Sequence, residues 1–118
     1  MVMMNYNDLQ VWQESMQLVT SIYKLTKQFP SDERYGLIDQ MRRAAVSIPS
    51  NIAEGHARNS KLDFARFLRI SLGSCTELET QLMIANNLEY LKKDDTTSIL
   101  EQSLKIRKMI TKLITTLS

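Results

Sequence analysis

The chain has 118 residues, of which 43% are hydrophobic and 24% are charged, and this balance excludes a collagen-like, mucin-like or acid-rich disordered chain. Three Gly and two Pro supply too few turns for a β-sandwich or barrel of short strands, and a single Cys excludes an internal disulfide. The formal net charge of +2 is too small to indicate nucleic-acid binding by itself. The length suits one domain, which we assign to residues 1–118.

The first of four blocks with helical spacing of apolar residues runs from about Asp8 to Gln28. It carries two adjacent apolar stripes, one of Leu9, Trp12, Met16, Val19 and Tyr23, and one of Leu18, Ile22, Leu25 and Phe29. An apolar face of this width is typical of a helix that contacts two neighbours. Phe29 precedes Pro30 and is therefore disfavoured in helical geometry, which ends the block.

The second block runs from about Glu33 to His56, after Ser31 or Asp32 as a predicted cap. Its apolar positions are Ile38, Met41, Ala45, Ile48 and Ile52. Pro49 lies inside this block and lacks the N–H that would bond the carbonyl of Ala45, so we expect a kink there. We expect the hydroxyls of Ser47 and Ser50 to satisfy some of the freed backbone groups.

The third block runs from about Ser60 to Glu89, and Ser60 with Asp63 resembles a capping box at its start. Its predicted buried stripe is Phe64, Leu68, Cys75, Leu78, Leu82 and Ala85. The fourth block follows Lys92 and Lys93, with an aspartate (Asp94 or Asp95) as its predicted cap, and ends near Leu117. Four long helices with short connections predict an all-α fold, an antiparallel up-and-down four-helix bundle.

The sequence contains few residues suited to catalysis or metal binding. His56 and Cys75 are the only residues of their types, and a di-iron bundle needs Glu-x-x-His on two helices. Glu77 and Glu79 are two positions apart on a helix, so they point in different directions and do not form an acid–base pair. We therefore predict a protein that is not an enzyme, with no cofactor and no metal.

Two predicted helices carry polar stripes beside their apolar ones. The second helix has Gln40, Arg43, Ser47, Asn51 and Glu54, and the third has Arg66, Ile70, Ser74, Glu77 and Gln81. These residues either form hydrogen bonds across a subunit contact or make an ordinary solvated face. Gly73 beside the second stripe costs about 1 kcal/mol relative to Ala in a helix interior, which favours a close approach of another backbone there.

The basic surplus lies in residues 91–118, where Lys105, Lys108 and Lys112 share one face of the fourth helix with Arg107 nearby. One explanation is electrostatic, because cations complement the C-terminal end of a helix and Glu101 lies four positions before Lys105. The alternative is a phosphate-binding stripe. We expect the aromatic side chains of Tyr6, Trp12 and Tyr35 to pack in the core or at an interface rather than to stack on bases.

The stretch RRAAVSIPSNIAEG, Arg42 to Gly55, resembles the signature of the bacterial four-helix bundle family encoded by intervening sequences of 23S rRNA genes. The segments DLQVWQESMQLVTSIYKLTKQFP and GSCTELETQLMIANNLEYL also match, so the resemblance covers about residues 8–117. The motif positions are Arg42, Arg43, Ser47, Pro49, Ser50, Asn51 and Glu54, which we interpret as structural and interface positions. The family is also similar in fold to the accessory variability proteins of diversity-generating retroelements.

This resemblance implies an antiparallel four-helix bundle that assembles as a homopentamer. It also implies a nucleic-acid-linked role, because the retroelement relatives are basic, bind nucleic acid and contact a reverse transcriptase. No catalytic residues come with the family. The charge of +2 is weaker than that of those relatives.

Our leading hypothesis is a non-enzymatic homo-oligomer that binds RNA or DNA, structured RNA above all, through Lys105, Arg107, Lys108 and Lys112. The alternative is a protein-binding adaptor or assembly scaffold without nucleic-acid contact. A weaker third hypothesis is a bundle that binds a small molecule or a metal. The N-terminal sequence has no basic region followed by a long apolar region, and no apolar run approaches the roughly 20 residues that span a bilayer, so we expect a cytoplasmic protein without membrane contact.

Overall fold

The computed structural model describes residues 5–117, and it contains four α-helices. They are α1 (Gln10–Thr26), α2 (Leu37–Ala57), α3 (Lys61–Asn87) and α4 (Lys93–Thr116), with short 3-10 helices at Tyr6–Asp8 and Ser31–Glu33. No strand occurs within this described range. The prediction of an all-α fold with four helices is therefore confirmed.

Each helix contacts the helices next to it in sequence, and α1 also contacts α4. One hydrophobic cluster draws side chains from all four helices. Its fully buried large members include Leu18, Ile22, Met41, Ile48, Ile52, Leu68, Leu78, Leu82, Ile106 and Ile110. Those on α1, α2 and α3 are among the apolar positions named above from their helical spacing, because only one side of each helix faces the shared interior.

The two apolar stripes of α1 differ in burial. Leu18 and Ile22 of the second stripe are completely buried, whereas Met16 and Tyr23 of the first stripe are 42% and 40% exposed. The second stripe thus enters the core, and the first lies along the edge between α1 and α2. The chain's own helices leave part of the predicted apolar face of α1 uncovered.

The predicted N-cap of α3 is confirmed, because Ser60 Oγ accepts a hydrogen bond from the backbone N–H of Asp63 at 2.9 Å. The predicted cap of α2 is wrong. Ser31 lies in the preceding 3-10 helix, and α2 begins only at Leu37, after Gly36. Glu33 Oε1 accepts from the backbone N–H of Leu37 at 3.3 Å, so a side chain four positions away does the capping.

The predicted aspartate cap of α4 is also wrong, because Lys92 occupies the N-cap position and contributes no side-chain hydrogen bond. Asp94 and Asp95 lie in the first turn instead. A carboxylate in the first turn still interacts favourably with the positive end of the helix dipole, which explains why acidic residues cluster at this start.

Helix α2 runs through Pro49, which is buried. Ser47, expected to bond a freed backbone group, is instead paired with Ser74 of α3 at 2.8 Å. Ser71 of α3 donates to the carbonyl of Ile48 at 2.9 Å. Hydroxyls of α3 therefore support the backbone and side chains of α2 next to the proline; the kink itself stays a prediction.

The two helical glycines have opposite surroundings. A Cβ at Gly55 of α2 would lie 2.6 Å from Cβ of Phe67 and 3.1 Å from Cδ1 of Phe64, so α3 approaches α2 closely at this point. A Cβ at Gly73 of α3 would meet nothing within 4 Å. Within the chain, then, Gly55 has a packing reason and Gly73 has none.

Neither a membrane span nor a metal cluster is found in the part of the chain that the structure describes. No helix within residues 5–117 combines the length and apolar character that crossing a bilayer requires. The same residues contain no group of three or more His, Cys, Asp or Glu side chains placed to hold a metal ion.

Candidate interaction surfaces

Arg42, the first residue of the predicted motif, joins α2 to α1. Its Nε donates to Thr26 Oγ1 at 2.9 Å, and Nη2 donates to the carbonyl of Tyr23 at 3.3 Å. The guanidinium also lies over the Tyr23 ring, 4.5 Å from its centroid, a favourable cation–π distance. These three contacts give Arg42 a structural role at the end of α1.

Ser47 and Asn51 form a hydrogen-bond chain between α2 and α3. Asn51 Nδ2 donates to Ser47 Oγ at 2.9 Å, and Ser74 Oγ donates to the carbonyl of Ile70 at 3.1 Å. Because a serine has one hydroxyl proton, Ser47 is the donor to Ser74. The polar stripes of α2 and α3 thus meet at these residues within one chain, rather than across a subunit contact.

Arg43, Ser50 and Glu54 of the motif lie on the outside of α2, whereas Pro49 is buried. Arg43 Nε pairs with Asp39 Oδ2 at 3.0 Å, and Glu54 Oε1 pairs with Arg58 Nη2 at 3.2 Å. Both pairs join exposed residues four positions apart on one helix, an arrangement that contributes only about 0.3–0.5 kcal/mol. Ser50 is exposed. These positions are open to a partner, in contrast to Arg42, Ser47 and Asn51.

An apolar groove of about 350 Å³ runs between α1 and α2. It is lined by Tyr6, Trp12, Met16, Val19, Val46, Pro49, Ser50 and Ala53. The rings of Tyr6 and Trp12 meet edge to face, with centroids 5.3 Å apart, so these aromatics pack on each other along the groove. Tyr35 is 88% exposed and therefore does not pack in the core of the chain, and its packing at an interface stays a prediction.

The four residues predicted to contact nucleic acid differ in their surroundings. Lys105 Nζ pairs with Glu14 of α1 at 3.0 Å, whereas Arg107 Nε pairs with Glu79 of α3 at 2.8 Å. The two cations therefore point to opposite sides of α4, and each already has a carboxylate partner. Arg107 is also half-buried, so its first role is to join α4 to α3.

Lys108 and Lys112 remain available on the outside of α4. Both are exposed, and no carboxylate of the described residues forms an ion pair with either. Together with Leu104, Arg107 and Thr111 they line a shallow concavity of about 320 Å³. From Leu104 to Leu117 the sequence contains four cations and no acidic residue. Two of them, Lys105 and Arg107, are paired with Glu14 and Glu79 of other helices, so Lys108 and Lys112 carry the uncompensated positive charge at this end of α4.

Glu79 is the centre of a polar network that the sequence analysis missed. Besides its bond from Arg107, Glu79 Oε2 accepts from Ser103 at 2.6 Å. Ser103 and Arg107 are four positions apart on α4, which is the spacing that directs two donors to one acceptor. The spacing of Ser103 and Arg107 was the signal available in the sequence, whereas their acceptor Glu79 lies on another helix.

Cys75 lies beside this network and is completely buried, as predicted for a core residue. Burial raises the pKa of its thiol to about 12. Since the thiolate is the reactive form of cysteine, this side chain is inert at neutral pH. His56 packs edge to face on Phe64, with ring centroids 5.6 Å apart.

The sequence profile described as "23S rRNA-intervening sequence protein" matches residues 7–112, nearly the whole chain. The chain belongs to this family. The recognition of the family from the motif on α2 is therefore confirmed. The predicted likeness to the accessory variability proteins of retroelements stays a prediction.

A solved structure supports the same assignment. The chain is similar to a protein of unknown function from the S23 ribosomal protein family of Bacteroides thetaiotaomicron, with a TM-score of 0.82 and 28% sequence identity. The match covers 88% of this chain and 97% of that one. Among curated proteins, none matches the sequence.

Proposed function

We propose that this member of the 23S rRNA-intervening sequence protein family is a non-enzymatic, cytoplasmic homo-oligomer, a pentamer, that binds structured RNA or DNA. The basic outer side of α4 is the binding surface. The observation that carries the proposal is the concavity lined by Arg107, Lys108 and Lys112, at an end of α4 without acidic residues. Phosphate contacts from such cations supply affinity that does not depend on base sequence.

The proposal includes an antiparallel up-and-down bundle, which the pairing of residues between helices supports. Between α2 and α3, Ser47 pairs with Ser74 and Gly55 lies against Phe67, so one number rises as the other falls. Between α3 and α4, the pairs Glu79–Arg107 and Asn86–Thr96 change in the same opposed way. Opposed numbering is the pattern that neighbouring antiparallel helices produce.

Repetition of the basic surface around an oligomer supports nucleic-acid binding by a chain of low net charge. One copy offers Lys108 and Lys112 as unpaired cations and Lys105 as an exposed, paired one. A ring of five copies multiplies these contacts on one continuous polyanion, and linked contacts strengthen each other through effective concentration. The charge of Arg107 is offset by Glu79, so Lys108 and Lys112 supply the main phosphate contacts.

The absence of a reactive centre among the described residues supports the non-enzymatic part of the proposal. The raised pKa of Cys75 keeps the thiol protonated, and the carboxylate of Glu79 is bound by Ser103 and Arg107. Neither group is poised as a nucleophile or a general base.

A second candidate function is a protein adaptor, which the apolar groove between α1 and α2 favours. Met16 and Val46 beside it are 42% and 39% exposed, and exposed apolar side chains in a groove are typical of protein-binding surfaces. In this alternative the groove holds another protein, and the cations of α4 play no part.

The test of nucleic-acid binding compares two charge reversals of equal size. Lys108→Glu with Lys112→Glu changes the formal net charge of +2 to about −2, and so does Lys24→Glu with Lys27→Glu in the last turn and C-cap of α1. Fluorescence anisotropy with labelled structured RNA and with duplex DNA at about 50 mM salt measures the binding affinity of both variants and of the wild-type chain. We expect the α4 variant to lose at least tenfold in affinity and the α1 variant to lose less than threefold.

Equal losses in both variants would show that only the net charge matters, and unchanged binding by the α4 variant would refute this surface. If neither wild-type chain nor variant binds, the adaptor function is the better account. Light scattering is the separate test of assembly, and we expect a mass of about five times the 13.6 kDa of one chain.

A further inference from the structure

The outer face of α3 is almost uncharged over five turns. The exposed residues from 70 to 88 are Ile70, Gly73, Thr76, Glu77, Thr80, Met83, Ile84, Asn86, Asn87 and Leu88. Glu77 is the one charged residue among them, although solvated helix faces are normally rich in Lys and Glu. Four large apolar side chains on this face are about half exposed: Ile70, Met83, Ile84 and Leu88.

The hydroxyls on this α3 face are already used. Thr76 Oγ1 donates to the carbonyl of Gly73 at 2.8 Å, and Thr80 Oγ1 donates to the carbonyl of Thr76 at 2.9 Å. These bonds satisfy the polar hydrogens inside the helix and lower the cost of covering the face. At Gly73 the backbone of α3 carries no side chain, and a Cβ there would meet nothing within 4 Å, so the helix backbone is accessible at this point of the face.

A second, different apolar surface lies between α1 and α2. This α1–α2 surface comprises the groove around Met16 and Val46 and the adjoining depression of about 570 Å³ lined by Tyr23, Arg42 and Arg43 among others. It carries the first apolar stripe of α1, which the helices of its own chain leave partly uncovered. The side chain of Arg43 is 80% exposed at its edge.

The two surfaces complement each other in charge, and each copy of the chain carries one of each. The α3 face has a single carboxylate, whereas one end of the α1–α2 surface is lined by Arg42, Arg43 and Asp39, which together carry a net charge of +1. A closed ring is built from contacts between two different patches of each copy, because head-to-tail packing uses one patch as donor and the other as acceptor. This chain carries two such patches on different helices.

We propose that the outer face of α3 in one copy packs on the α1–α2 surface of the next copy, with Glu77 directed at the partner's Arg43. This inference rests on the proposed self-association and adds the contact that produces it. The apolar side chains of the α3 face then cover Met16, Tyr23 and Val46. Lys108 and Lys112 of α4 stay outside the contact and remain accessible to nucleic acid.

The test is a charge exchange with a rescue arm. Glu77→Arg and Arg43→Glu each place like charges opposite one another, and the double variant restores an opposite pair in reversed order. Sedimentation equilibrium of the full chain measures the association constant. We expect each single variant to weaken association at least tenfold and the double variant to recover most of that loss.

Replacing apolar surface residues by aspartate provides a second, matched comparison. Ile84→Asp on the α3 face and Val46→Asp on the α1–α2 surface should also dissociate the assembly, whereas Leu104→Asp on α4 should not. The three residues have similar exposure, 45%, 39% and 40%, so the change in each monomer is comparable. Thermal unfolding of each variant at low concentration verifies that the monomer remains folded.

A wild-type chain that is monomeric would overturn both the proposed assembly and this contact. A wild-type oligomer that is unaffected by Glu77→Arg, Arg43→Glu, Ile84→Asp and Val46→Asp would overturn the contact alone and leave the proposed assembly standing. Loss of association without rescue in the double variant would refute the pairing of Glu77 with Arg43.

Discussion

Replacing Gly55 by Ala tests the close packing of α2 against α3. In a helix interior, Ala is favoured over Gly by about 1 kcal/mol, so the substitution stabilises a helix whose side has room for a methyl group. At Gly55 there is no room, because the new Cβ would lie 2.6 Å from Cβ of Phe67. A Cβ is fixed by its backbone, and the contact is relieved only if the two helices separate.

The magnitude follows from these opposed effects. Overpacking a tight contact costs about 1–3 kcal/mol, against the gain of about 1 kcal/mol in helix propensity. We therefore expect Gly55→Ala to lower the free energy of unfolding by up to about 2 kcal/mol. Gly73→Ala is the matched control, because its Cβ meets nothing within 4 Å, and it should raise the same free energy by about 1 kcal/mol.

Urea unfolding followed by circular dichroism measures both variants against the wild-type chain. Light scattering on each sample verifies that the proteins are compared in the same oligomeric state. If Gly55→Ala proves as stabilising as Gly73→Ala, the helices do not approach each other as closely as this account requires.

Three further substitutions test other parts of the structure. Glu89 has a φ of 63°, in the left-handed region that favours glycine, so Glu89→Gly should stabilise the end of α3 by about 1 kcal/mol in urea unfolding; a loss of stability would contradict this. Arg107→Ala should destabilise by about 1–2 kcal/mol, since it leaves the carboxylate of Glu79 with one donor fewer, whereas Lys108→Ala should be neutral within about 0.5 kcal/mol. The folded protein holds the Cys75 proton up to a pKa of about 12, but the unfolded chain loses it near 9.0, so stability should fall as pH rises through that interval. At pH 10 the effect of Cys75 is about 1 kcal/mol, and Cys75→Ala should flatten the pH profile by that amount; parallel profiles would contradict the raised pKa.

The helices of this fold are predictable because their cores follow a 3.6-residue period. The stripe that includes Leu18 and Ile22 on α1 is buried as the spacing indicates, and so are Leu68 and Leu78 on α3. The cap at Ser60 is predictable for a similar reason, since it depends on residues three positions apart. Periodicity on α1 cannot tell which of two apolar stripes enters the core, because both have the same spacing.

The candidate surfaces are only partly predictable from the sequence, because they depend on contacts between residues that are far apart in the chain. The sequence indicates cations at Lys105 and Arg107, but their partners Glu14 and Glu79 lie on other helices and depend on how α4 packs. The sequence predicts too early a start for α2 for a related reason. Glu33 caps this helix only after the chain has turned through Gly36. Such pairings follow from the packed fold rather than from local spacing.

The most direct test of the central claim is the salt dependence of RNA binding by the wild-type protein. Anisotropy of a labelled structured RNA, titrated from about 50 to 200 mM salt, reports how many phosphate contacts the protein makes. The account predicts binding at low salt that weakens steeply as the salt concentration rises. No binding at about 50 mM salt, or an affinity that does not change with salt, would contradict a phosphate-binding surface on α4.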